Sequence, residues 1–347
     1  MDTRSFLILA GALLAPTMAL ADDEPDPTPP IAVMENFESG DIYLGALAPC
    51  RRPENRFSDQ GQVYRMGRLA GSMTVFPPPL TRSLELVPPS KECIDPGQPY
   101  TPDGTERAEL WERQKDRLPF GTDVWYGFSM YIGGEISTTD GNRLVIGQWK
   151  EAGGGSPIMA QRFKNRTFFV TVEQDAPTPG DSCRILVAYQ SEPPPMADSS
   201  DGNDQPCMKD IVVERFDYLP NPFDSWTDMV YHFRPSPEGY GIAEVWAGGK
   251  LIARASGRIG YANPPLPIQY FKFGPYRNPA TYATTAYLDA FRRGASYEEV
   301  TLGGKHQVLP LEISRNEDGI GKPTADKPVT PAAAPAPAPT APETAKP

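Results

Sequence analysis

Proline constrains this chain more than any other residue. There are 41 prolines in 347 residues, and only eight of them lie in 322–347, so 33 interrupt the rest. Each fixes φ and removes a backbone donor, which excludes long uninterrupted helices and, with them, bundles and coiled coils. The 39 % of apolar residues still suffices for a packed core. Between the prolines the hydrophobic period is two. Segments 123–132, 143–150, 167–173, 184–190, 226–234, 241–246, 268–273 and 285–291 are rich in β-branched and aromatic residues, with Gly, Pro, Asn and Asp between them. Ala247-Gly248-Gly249-Lys250 has the composition of a hairpin turn. The expected fold is all-β: a two-sheet antiparallel β-sandwich of jelly-roll type, whose concave groove suits a polymer better than a compact metabolite.

The ends differ from this middle. Residues 1–21 have the form of a secretory signal, with Arg4, an apolar stretch from Phe6 to Leu14, and Ala19-Leu20-Ala21 before Asp22. A leader at 22–30, one domain at 31–314 and a solvated Pro/Ala-rich tail at 315–347 complete the expected layout. That layout makes the protein secreted or periplasmic with no membrane span, and it is taken as a monomer. Four cysteines suit an oxidising compartment and allow three pairings. Cys50 and Cys93 flank one Pro-rich stretch, Cys183 and Cys207 another, so local pairing 50–93 and 183–207 is expected. A zinc site is disfavoured, because there is no C-x-x-C pair and only His232 and His306 are available. The net charge of −11 argues against nucleic acid, so an anionic partner would need a local basic cleft.

Three short strands combine charge with aromatic character. In Glu106-Arg107-Ala108-Glu109-Leu110, alternation puts Arg107 and Glu109 on one face. In Ile146-Gly147-Gln148-Trp149-Lys150, Gln148 and Lys150 share a face. In Tyr270-Phe271-Lys272-Phe273-Gly274-Pro275-Tyr276-Arg277, Tyr270 and Lys272 point one way and the two Phe residues the other, while Pro275 leaves the side of Tyr276 open. Together they resemble the three strand motifs of the jelly-roll polysaccharide lyases, the group with alginate lyase-like, glucuronan lyase-like and heparin lyase I-like members. Asn36-Phe37-Glu38-Ser39-Gly40, Glu244-Val245-Trp246 and Tyr287-Leu288-Asp289 extend the resemblance over roughly residues 33–300.

The resemblance implies β-elimination on a uronic-acid polymer, an anionic polysaccharide. Removing the C5 proton requires stabilising charge on the adjacent carboxylate, which Arg107 and Gln148 would do. A base must take that proton and an acid must protonate O4. Tyr276 matches the family's tyrosine, with Lys272 and Arg277 nearby to favour its phenolate. The family's Gln-x-His is Gln148-Trp149-Lys150 here, so the histidine base is absent. Three alternatives stand: Tyr276 performs both transfers, activity is lost, or Lys150 is the base after heavy desolvation. Glu109 is expected to orient Arg107, Tyr270 to line the substrate, and His232 to be a stand-in base or an ordinary strand histidine. Trp111, Trp149 and Trp246 are candidates for sugar stacking or core packing, and Lys164, Arg162 and Arg166 for lining subsites or forming a solvated edge. No compact acidic loop supports calcium, so no cofactor is expected. The competing reading is a noncatalytic glycan-binding sandwich of concanavalin-like type. A hydrolase is disfavoured, because the Glu-x-Asp-x-x-Glu strand of laminarinase-like sandwiches is absent.

Overall fold

The computed structural model describes residues 30–37, 46–47, 56–58, 65, 70–75, 106–134, 136, 143–152, 155–176, 182–193, 207, 210–223, 225–262, 266–278, 280–302, 313–315 and 321–323. Short strands come first: β1 (Val33–Glu35), β2 (Ala46–Leu47), β3 (Arg56–Ser58), β4 (Gly71–Val75), β5 (Glu106–Arg107), β6 (Leu110–Trp111) and β7 (Leu118–Pro119). The body follows as β8 (Val124–Gly134), β9 (Leu144–Ala152), β10 (Met159–Lys164), β11 (Thr167–Asp175), β12 (Ser182–Tyr189) and β13 (Ile211–Arg215). Then come β14 (Thr227–Arg234), β15 (Ser236–Ala247), β16 (Lys250–Ile259), β17 (Leu266–Arg277), β18 (Thr284–Gly294) and a one-turn helix α1 (Tyr297–Val300).

Two antiparallel nine-stranded sheets result. The first runs β13-β16-β15-β14-β8-β18-β4-β3, with β1 also on β18. The second runs β12-β11-β10-β9-β17-β6-β2, with β5 and β7 also on β17. Their inner faces meet through aromatic rings. Tyr126 and Phe128 of β8 pack on Trp149, Phe271 and Phe273, with centroids 5.5–5.8 Å apart. This is the expected β-sandwich, and its core is what apolar alternation on facing strands produces. The Ala247–Lys250 turn closes β15 onto β16 as expected, with Gly248 and Gly249 both at positive φ.

Cys183 and Cys207 are disulfide-bonded, with Cα atoms 5.3 Å apart. Cys50, Cys93 and His306 lie outside the described residues, as do the signal and nearly all of the leader. At the start of the expected tail, β19 (Ile313–Arg315) pairs with β20 (Gly321–Pro323) as a separate ribbon; the rest of the tail is outside the described residues. No helix among the described residues is long and apolar enough to cross a membrane.

Candidate active site

The second sheet has two faces of opposite character. Trp149 of β9, Met159 and Phe163 of β10, Val170 of β11, and Phe271 and Phe273 of β17 belong to the core. Their neighbours therefore point outward, and register lines them up: Lys272 opposite Gln148, Gln148 opposite Ala160, Tyr276 opposite Val145 and Arg107. Gly274 makes the junction with β5 and β6 possible. Its φ is +134°, and a Cβ there would stand only 2.1 Å from the Ala108 carbonyl oxygen. Pro275, which has no N–H to offer, still accepts a hydrogen bond from the Ala108 amide at 3.0 Å.

Glu109 is the hub. Its fully buried carboxylate accepts 2.6 Å from Gln148 Nε2 and 3.2 Å from Lys272 Nζ, whereas Arg107 stands 4.0 Å away. Expected as an orienter of Arg107, Glu109 grips Gln148 and Lys272 more closely. Tyr276, half-buried, lies between two guanidinium groups. Arg107 Cζ is 4.7 Å from its ring centroid and Arg143 Cζ 4.9 Å, with Arg143 Nη2 3.5 Å from the phenolic oxygen. Lys272 Nζ is 5.8 Å from the same ring and 4.9 Å from the Trp111 ring. Burial pushes the Lys272 ammonium down to about 7. Glu109 opposes that fall, and the charges of Lys150 and Arg107 add to it.

The sequence model of the family described as polysaccharide lyase matches residues 54–292, well over half of the chain. The chain belongs to the polysaccharide lyase family. Among solved structures, an endo-β-1,4-glucuronan lyase from the fungus Trichoderma reesei is 14 % identical, with a TM-score of 0.49 over 77 % of this chain and 97 % of its own. The alginate lyase A1-II′ is 13 % identical, with a TM-score of 0.37 over 67 % and 82 %. The cellulose-induced protein Cip1 is 13 % identical, with a TM-score of 0.40 over 76 % and 97 %. No curated protein matches the chain by sequence.

In this lyase, Arg107, Gln148, Lys272 and Tyr276 come together with Glu109 on one face. Lys150 shares that face, opposite Tyr270, but its Nζ bonds the Gly155 carbonyl at 2.8 Å. Tyr270 is 3 % exposed, packed on Trp111 and under Arg117 at 4.1 Å, so little of its ring can line a substrate. Arg277 turns away: it is buried and donates to Thr284 Oγ1 and the Tyr282 carbonyl, both at 2.6 Å. His232 stands on the first sheet, stacked on Trp125 at 4.1 Å and bonded to Asp123 at 2.5 Å and Glu244 at 3.2 Å. Trp149 is core and Trp246 packs under α1, so neither is placed to stack on a sugar.

Arg143 and the charged partners of Arg162 were missed in the sequence. Arg143, just before β9, had no assigned role. A second charged cluster sits on the same outward face, where Glu173 Oε1 accepts from Arg162 at 2.9 Å and Arg184 at 2.8 Å. Tyr261 donates to its other oxygen at 2.9 Å. A surface cavity of about 370 Å³ lies elsewhere, against Phe120, Arg234, Glu238 and Tyr240, and holds none of the site residues. Among the described residues, no group of three or more His, Cys, Asp or Glu side chains is arranged to hold a metal ion.

Proposed function

We propose that this lyase is exported and cleaves a uronic-acid-containing polysaccharide by β-elimination, with Tyr276 as both base and acid. The observation that carries this is one outward sheet face. There Arg107, Arg143, Lys150, Lys272, Arg162 and Arg184 outnumber Glu109, Glu173 and Asp175, in a chain whose net charge is −11. Cations so concentrated on an acidic protein suit a polymer of carboxylates. The disulfide Cys183–Cys207 supports an oxidising compartment.

The chemistry follows from the side chains. Arg107 and the Gln148 amide meet the uronate carboxylate and stabilise the charge that builds on it as C5 loses its proton. The phenolate of Tyr276 takes that proton. The C5–H electron pair becomes the C4=C5 double bond as the O4 bond breaks, and the phenol returns the proton to O4. Lys150, held by the Gly155 carbonyl, is not required.

The noncatalytic glycan-binding reading keeps one observation in its favour: the site face carries no histidine among the described residues, His232 being on the other sheet. The test is incubation with polyglucuronate, alginate and a heparin-type polymer, following the ultraviolet absorption of conjugated unsaturated ends. Turnover on at least one is expected, with Tyr276→Phe lowering it by on the order of 10²–10⁴ while binding persists. Binding without cleavage by the wild type would transfer the conclusion to the binding reading. Full activity of Tyr276→Phe would overturn the mechanism.

A further inference from the structure

We infer that Arg143 is a positioning residue for Tyr276: its guanidinium, together with that of Arg107, holds the phenol in ionised form, so that one oxygen can first take a proton and then return it. This rests on the reading of Tyr276 given above. A tyrosine with an ordinary proton affinity, pKa ~10, has about one molecule in a thousand ionised at neutral pH. A tyrosine acting as base therefore needs a standing source of positive charge, and the two guanidinium groups supply it from opposite strands. Arg107 comes from β5, and Arg143 from the segment entering β9, its Nη2 3.5 Å from the oxygen that must carry the negative charge.

The other described groups around Tyr276 do not replace this. Lys272, on β17 itself, is 5.8 Å from the ring and loses its own charge near neutrality. Val145, the register partner on β9, is apolar. Glu109, the carboxylate behind Lys272, would oppose ionisation, but its closest partners are Gln148 and Lys272. Guanidinium does not titrate in the working range, so its effect persists across pH. Because elimination regenerates the phenolate, the ionisation has to be supplied only once, with the first proton released to water. Arg143 thus does by electrostatics what the family's histidine would do by accepting the proton.

Labelling with ¹³Cζ-tyrosine reads the ionisation directly, Tyr276 being the signal missing from Tyr276→Phe. Removing the cation in Arg143→Gln should raise its titration midpoint, leaving on the order of tenfold less phenolate at a given pH. Arg143→Lys should recover most of the wild-type midpoint. The acidic limb of kcat on a cleaved uronic-acid polymer should move in parallel, the rates converging at high pH. An unchanged midpoint in a folded Arg143→Gln, or a uniform loss of kcat at every pH, would overturn the inference. Should Arg143→Gln misfold, Arg143→Met fills similar space, and the same outcomes decide. Failure of the wild type to cleave any polymer would sink the proposed function and the catalytic purpose of the pair, while the titration, which needs no turnover, would still decide whether Arg143 ionises the phenol.

Discussion

Glu109 shows how much rests on one side chain. It is the counter-charge of a buried lysine and the anchor of the Gln148 amide. Below about pH 7, where Lys272 is charged, Glu109→Gln leaves its ammonium without its partner, and deleting one half of a buried pair costs about 3–5 kcal/mol. Urea unfolding should show a fall of that size, and the double variant with Lys272→Met should lose less than the two single changes together. Lys150→Ala is expected to keep most of kcat while raising KM; collapse of kcat would make Lys150 the base. His232 reports on pH. Burial opposes its charge, but bonds to Asp123 and Glu244 outweigh that, so its pKa is raised above 6.5. A raised histidine stabilises fully below its unfolded value and loses that contribution as pH rises through the folded one. Its partners are lowered, Asp123 mainly by the His232 bond, and Glu244 by His232 and Arg254 against burial. Their contribution is lost in acid. The stability gap between wild type and His232→Gln should therefore be widest between the carboxylate and histidine ranges, and narrow above neutrality. A gap that keeps widening as pH rises through the histidine range would refute this.

Strands were legible wherever period two was clean, as in 123–132 against Val124–Gly134 and 285–291 against Thr284–Gly294. Met159–Lys164 and Lys250–Ile259 were only hinted at, by a basic strand start and by the hairpin turn, because charged residues inside them, Arg162 and Arg254 for instance, break the apolar pattern while bonding to carboxylates on neighbouring strands. The site was legible where alternation is unbroken: Gln148 with Lys150, and Lys272 with Tyr270. Arg143 was not, for a geometric reason. Leu144 and Ile146 face the core but so does Trp149, so β9 changes phase between 146 and 149, where its register to β10 shifts. Strict alternation from Gln148 would put Arg143 on the wrong side; the bulge brings it round to Tyr276. On β17 the corresponding irregularity is centred on Gly274 and Pro275. Gly274→Ala would force its Cβ against Ala108, and we expect a loss of more than about 2 kcal/mol, with lowered turnover because β5 and β6 must move. Native-like melting of that variant would show that the contact is easily relieved. Reducing Cys183–Cys207 should cost about 2–5 kcal/mol in the same assay.

At the scale of the whole molecule, an acidic chain gathers six cations on one sheet face, and the first sheet backs it. Attraction between exposed parts of that face and a polyanion is screened by salt, so affinity for a cleaved polymer should fall between low and physiological ionic strength. Salt-independent affinity would point to recognition by rings and hydroxyls instead. The strand that carries Tyr276 and Lys272 is bonded along both edges, to β9 on one side and to β5, β6 and β7 on the other. Fraying reaches edge strands first and an internal strand only when its neighbours separate. Amide exchange along β17 should therefore be among the slowest in the protein, and heat should leave no folded but inactive form: activity should disappear in the same transition that melts the sandwich.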